Sequence, residues 1–460
     1  MDRPAPSRLA PSRLAPSRLA LPRLARRAMV LGAPLVLAGC GLGNMWFGTT
    51  KPPIPGKRYP VLTERHGLAV DSDAPPVSVP AATDDANWPQ PGGEPAHAGG
   101  NLALAAKPSL AWRADIGAGT AFRQRITATP VVDGGRVFTM DADAVVHAFS
   151  AKDGSVLWRA STRSKGDRST NVGGGIAVAG GRVYATTGRG DAVAFEAASG
   201  KRVWAARLGS AARGGPTVVQ DQLFVALLGD SLVALSRADG KQVWAHHAAQ
   251  VDFGSLGSPA PAYAEGVLIA GFESGDLLAL RAVSGIVLWG DSLANPAGRG
   301  AVGALSAIRG MPAIQDGRVY AVSLGGSAVA DDLRAGRRLW SRDITSSESP
   351  WAAGNYIYFA TQDARVAAVS ADEGRVAWVT QLEAFTDPKV QKHPILWHGP
   401  VMAGGRLLVA SEHGEATWID PAKGAVLGSM RLPDGAAVAP VVAGGTLYVV
   451  TLGGALLAYR

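Results

Sequence analysis

From Leu110 to the C-terminus the apolar positions fall in short runs broken by Gly-rich turns, a pattern of many short strands rather than long helices. One unit recurs. It begins with apolar residues on both sides of a tight turn, as in Val131-Val-Asp-Gly-Gly-Arg-Val-Phe138, and counterparts start at Val178, Val218, Tyr263, Ile314, Ala352, Val401 and Val441. A third run follows, such as Leu232-Val-Ala-Leu-Ser-Arg-Ala-Asp-Gly240, and then Gly-x-x-x-Trp: Gly154 to Trp158, Gly200 to Trp204, Gly240 to Trp244, Gly285 to Trp289, Gly336 to Trp340 and Gly374 to Trp378. A seventh copy has Gly428 where Trp belongs, and Trp112, upstream of the first hairpin, supplies an eighth copy. Four short antiparallel strands in about 45 residues are the dimension of a propeller blade. The pattern therefore predicts an all-β, eight-bladed β-propeller of four-stranded antiparallel blades over residues 105–460. The chain stops at Arg460 before its last Trp strand, so the strand around Trp112 is expected to complete the C-terminal blade and close the ring. The Trp side chains are expected to fill the wedges between blades.

Upstream the pattern changes twice. Residues 1–39 read as a secretory signal: seven Arg against one acid, Asp2, then an apolar stretch from Ala28 to Ala38 that is too short for a permanent span. Leu37-Ala38-Gly39-Cys40 resembles a bacterial lipobox, which places the only Cys of the chain at the acylated N-terminus of the mature protein, with Gly41 rather than Asp behind it. Residues 40–104 read as the lipidated Cys and a Pro-rich tether, with ten Pro between Lys51 and Pro95, and with Trp88 expected to dock on the folded domain.

The charge follows the same division. The whole chain carries a net +8, but without the leader 38 basic face 36 acidic residues, about +2. No field for a nucleic-acid partner remains in the body of the protein. With one Cys, an internal disulfide, a Cys-pair zinc site and a haem attachment motif are all excluded.

Candidate chemistry is sparse, and no catalytic residue, metal site or cofactor is expected. The eight His lack zincin spacing; His393 and His398 share a long loop with Trp397 and read as surface or loop-packing residues. Asp331 and Asp332 are adjacent, but successive strand residues point to opposite faces and cannot share a proton. Gly188-Arg-Gly-Asp191 spells an adhesion tripeptide in a slot where the repeat needs a turn. Gly173-Gly174-Gly175 lacks the helix that would aim amides at an anion.

The repeat Ala-x-x-Gly-x-x-x-Trp is similar to that of the pyrroloquinoline-quinone type of eight-bladed propeller. Together with the lipobox, it resembles the BamB family, lipoprotein subunits of the outer-membrane β-barrel assembly (BAM) machine. That resemblance implies a non-catalytic scaffold, lipid-anchored to the outer membrane and facing the periplasm. It also implies binding to the periplasmic domains of BamA, with unfolded outer-membrane β-barrel proteins as further partners. The stretches matching the family's contact loops are Val251 to Ser258, with Phe253 and Leu256 as an apolar anchor, and Gly303 to Gly310, with Arg309 where the family carries carboxylates. The alternative reading is a PQQ-dependent quinoprotein dehydrogenase, which shares blade count and Trp spacing. Such enzymes typically stack adjacent cysteines on the quinone, whereas the sole Cys here belongs to the lipobox.

Overall fold

The computed structural model describes residues 67–460 apart from 165–168, 172, 213, 249–258 and 295–305. These residues belong to one unit that begins at Glu64. The signal segment and Cys40 lie outside the described residues, as do Phe253 and Leu256.

Eight four-stranded antiparallel sheets follow one another along the chain, each meandering outward from its first strand. In blade 1 the strands are Val131–Asp133, Arg136–Met140, Val145–Ser150 and Val156–Ser161. The first hairpin turns on Gly134 and Gly135, both at positive φ, the conformation a two-residue turn between twisted strands requires. First strands of successive blades are neighbours and line a hub. The middle strands are buried on both faces and hold the core, including Phe138, Phe149, Tyr184, Phe195, Phe224, Tyr320, Tyr358 and Tyr448.

The ring closes as the sequence predicts. Leu110–Asp115 pairs antiparallel with Ala455–Tyr459 and becomes the outer strand of blade 8. Ser109 and Arg460 exchange backbone hydrogen bonds of 2.7 and 2.9 Å, so the two ends of the domain lock in one sheet.

The Gly-x-x-x-Trp motif has a specific cause. Each Trp lies over the turn glycine of the next blade: a Cβ on Gly200 would stand 2.6 Å from the Trp158 ring, and the same holds for Gly240 and Trp204. The indole N–H donates to the carbonyl three residues before that glycine, at 2.9 Å from Trp158 to Ala197 and 3.0 Å from Trp340 to Ala371. Glycine is therefore needed twice over, for its φ near +70° and for the missing Cβ. Beside each Trp the register with the third strand shifts by a bulge, which re-aims the outer strand.

The exception at Gly428 follows from ring closure. A Trp there would have to cover the turn between the third and fourth strands of blade 8. Those strands come from opposite ends of the chain, so no such turn exists.

One expectation is corrected. The Pro-rich composition predicts a tether over residues 40–104, yet residues 67–104 are bound along the propeller. Asp71 N donates to Val376 O, and the Asp71 carboxylate bonds the Arg342 guanidinium at 2.8 Å. From Asp85 onward the segment makes a circuit of the hub and bonds an inner strand or its turn in every blade. Gly444 N of blade 8 donates to Asp85 O, and Trp88 exchanges two bonds with Val132 of blade 1. Val178 N of blade 2 donates to Pro89 O, and Val218 N of blade 3 to the Gln90 side chain. Tyr263 N of blade 4 donates to Pro95 O, Ile314 N of blade 5 to Ala96 O, Gly100 N to Ala352 O of blade 6, and Leu102 N to Met402 O of blade 7. The physical reason is that inner strands leave a row of unpaired backbone groups facing the hub, and a Pro-rich segment offers carbonyls without competing donors. Trp88 docks as expected, buried and stacked on Trp351 at 6.2 Å.

Candidate functional site

The hub plug divides the channel. Its bonds lie toward the turns that end the inner strands, while the connectors between blades lead into the opposite ends. There a cavity of about 730 Å³ opens, lined by residues preceding the inner strand of every blade, with Pro91 of the plug at its base. The cavity forms a funnel at this end of the hub. Apolar contributions come from Ile126, Ile176, Met311, Ile395 and Val438.

The polar wall centres on His398, on the strand Trp397–Ala403 of blade 7. Its Nδ1 stands 3.3 Å from Glu348 Oε1, and its Nε2 3.7 Å from Glu412 Oε1. Glu348 also accepts a bond from Gly399 N at 3.1 Å. Burial disfavours the imidazolium, but the two carboxylates outweigh it and push His398 up to about 9. The same contact holds Glu412 below its ordinary range. Arg125, on the connector into blade 1, and Arg309, on the connector into blade 5, line the same cavity. Burial lowers the proton affinity of Arg309, with Arg125 adding to the effect and Glu348 and Glu273 opposing it. Arg309 thus stands in the funnel wall, among carboxylates of its own chain.

Around the plug the chemistry differs. His97 is buried, and its Nδ1 donates to Pro312 O at 2.9 Å. Burial lowers its pKa to about 4, only partly opposed by that bond, so the ring is neutral.

The other sequence candidates fall elsewhere. His393 lies on an exposed hairpin, Phe385–Asp387 with Lys392–Pro394, inserted before blade 7. Asp331 is buried between blades 4 and 5, where burial and the Asp291 carboxylate push it up to about 7, while Asp332 caps the following turn by accepting from Arg334 N and Ala335 N. The two point apart, as expected from strand geometry. Arg189 is folded inward, with its side chain 2% exposed and bonded to Thr162 Oγ1 at 2.7 Å, so the adhesion-like tripeptide is an internal turn. Sequence reasoning missed the His398 cluster and the plug.

Among the described residues, no three of His, Cys, Asp and Glu converge as metal ligands. The funnel carboxylates are committed to His398, and the sole Cys is at position 40. These residues do not fit a metal-assisted quinone.

An eight-bladed, four-stranded ring with Trp-to-Gly clasps between blades defines a propeller of the PQQ-like repeat class. Its fold is similar to that of BamB from Moraxella catarrhalis, with a TM-score of 0.65 at 17% identity over 77% of this chain and 100% of that one. A quinohemoprotein alcohol dehydrogenase from Comamonas testosteroni matches equally in fold, with a TM-score of 0.64 at 14% identity over 82% of this chain and 81% of that one. The family model described as outer membrane protein assembly factor BamB matches residues 83–171, 142–380 and 384–460, and the chain belongs to that family. Outer membrane protein assembly factors BamB of Vibrio cholerae, 30% identical over 75% of this chain and 87% of theirs, and of Yersinia pestis, 26% identical over 76% and 88%, are among its relatives.

Proposed function

We propose that the chain is a non-catalytic scaffold lipoprotein of the outer-membrane β-barrel assembly complex. Lipid on Cys40 anchors it to the outer membrane on the periplasmic side, and the connector face of the propeller binds the periplasmic domains of BamA. One observation carries this reading: a member of the BamB family has one end of its hub stoppered by its own chain and the other end lined by described residues ahead of the inner strand of every blade. A rigid receptor loses little conformational entropy on binding, which suits a scaffold. Phe253 and Leu256 are proposed as the apolar anchor, and Arg309 as a charged contact. Unfolded β-barrel proteins are proposed as clients of the assembled complex.

The test is capture of the BamA periplasmic domains by the mature protein, comparing wild type with Leu256→Glu and Arg309→Asp. Each substitution is expected to weaken capture by roughly tenfold or more, the scale of a buried interface anchor. Undiminished capture by both variants removes the interface assignment. Quinone-dependent dye reduction by the purified protein would replace the scaffold with an oxidoreductase.

A further inference from the structure

The outer strand of each blade is a sheet edge, and the chain guards these edges unequally. Directly after the turn glycine between the third and outer strands stand Lys201, Lys241, Arg337 and Arg375 in blades 2, 3, 5 and 6, whereas blade 4 has Ile286. Its turn, Ala282-Val-Ser-Gly-Ile286, is the only one of the seven such turns without a charged residue. Charge at an exposed edge keeps further strands from adding to it. In blade 4 that guard is missing: Val283, Ile286, Val287 and Leu288 are all exposed, the first two by 70% and 56%.

Blade 6 shows what such an edge accepts. Its outer strand, Val376–Gln381, is covered by residues 68–71 of the same chain. Asp71 N donates to Val376 O at 2.9 Å, Val376 N donates to the Asp71 carboxylate at 2.8 Å, and Leu68 packs on the apolar seam of blades 5 and 6. In blade 4, whose outer strand is Val287–Ser292, Val287 holds the same register. It pairs with Leu280 beside the bulge before Trp289, as Val376 pairs with Val369 beside the bulge before Trp378. Ile286 O accepts from Arg281 N as Arg375 O accepts from Ser370 N. The N–H and C=O of Val287 therefore point away from the sheet, as those of Val376 do. Arg338 of blade 5 donates to Ser292 O at 2.9 Å and holds Asp291, so the half of this edge open to a partner is residues 287–290.

We propose that the outer edge of blade 4 is a docking site for an extended, uncharged polypeptide segment with apolar side chains at alternate positions, added along Val287 as residues 68–71 are added along Val376. The outward N–H and C=O of Val287 call for an extended backbone. The missing charge follows from the side chains nearby. Asp71 and Asp73 are held at blade 6 by Arg342 and Arg375, whereas the counterparts of these arginines at blade 4 are His246 and Ile286. Alternation follows from the pleat, since every second side chain of an added strand meets the apolar rim. The proposal does not depend on the scaffold reading.

The experiment is fluorescence anisotropy on the full mature chain with a labelled, capped peptide alternating Ser and Val, compared with its fully N-methylated form and with a form carrying Asp in place of Val. The first is expected to bind saturably and the other two more weakly by roughly tenfold or more, and Ile286→Lys should reproduce that loss. Lysine already stands at this position in blades 2 and 3, so the substitution leaves the fold intact, which an unchanged thermal transition checks. Val203→Lys, on the guarded edge of blade 2, should leave the affinity as it is. No binding, equal binding of the N-methylated or the Asp peptide, affinity untouched by Ile286→Lys, or an equal loss in Val203→Lys would each overturn the proposal. A dimer of the mature chain that Ile286→Lys dissociates would give the edge to a second copy and overturn it as well. Ile286→Lys should leave capture of the BamA periplasmic domains unchanged; lost capture would give the edge to that partner instead.

Discussion

The two ends of the hub are framed by the same eight inner strands and have opposite chemistry. At the plugged end the inner-strand backbone is matched by carbonyls and amides of residues 85–104, and the resident histidine, His97, is held neutral by burial. At the open end the residues ahead of those strands diverge into connectors, and the resident histidine, His398, is held protonated by two carboxylates. Repetition fixes the frame, and what fills each end is decided by segments outside the repeat. One end is built as protein interior and the other as a polar surface turned inward.

The plugged end should yield the largest effects. Trp88→Ala removes the indole stacked on Trp351 from a site with little freedom to collapse, and should lower unfolding free energy by about 3 to 5 kcal/mol, measured as a shift in urea midpoint at constant slope. Gly99→Ala should act similarly, because at φ +77° its Cβ would stand 2.6 Å from the Trp351 ring. A loss in the Trp88 variant no larger than that of an exposed substitution would show that the plug is only draped over the hub.

Acid should separate the two ends next. Between pH 6.5 and about 4 the unfolded chain takes a proton that folded His97 refuses, so stability falls as the pH drops through this window, by roughly 2 to 3 kcal/mol if the site stays dry. His97→Gln should flatten that limb. A slope that persists in the variant would place the acid sensitivity elsewhere.

Base should act on the other end, more weakly because the groups are partly solvated. Folded His398 keeps its proton up to about 9, while the unfolded chain releases it near 6.5. Its contribution is therefore complete below pH 6.5 and is lost as pH rises through 9, amounting to roughly 1 to 2 kcal/mol. The imidazole resonances followed by NMR would titrate near 9 for His398 and near 4 for His97. Coincident titrations would dissolve the contrast.

How much of this was legible in the sequence depends on what carried each contact. The Gly-x-x-x-Trp motif recurs about every 45 residues, so repetition exposed the blades and their Trp wedges, and Trp112 with the missing Trp strand before Arg460 marked the seam. That each Trp lies on the next blade's turn glycine was not legible from spacing alone. The plug was not legible, because its contacts run largely through backbone groups of Pro89, Pro95 and Ala96, which leave no side-chain signature. Trp88 was the exception, since a large apolar ring among prolines needs a partner. The funnel cluster was hidden for a different reason: Glu348 and His398 are 50 residues apart in different blades, and only the curvature of the ring brings them together. Arg309 was singled out by its position in a connector, while Arg125, its counterpart across the cavity, had no motif to mark it.

The circuit of residues 85–104 also sets an order of events. This segment leaves the ribosome before any blade, yet its partners extend to Gly444, near the end of the chain. Contacts of such sequence separation close late, after the strands they join exist. The prolines of this stretch therefore stay uncommitted until late, and the stopper seats only when the eighth sheet has been stitched, so that a truncated chain is left with an unsealed hub.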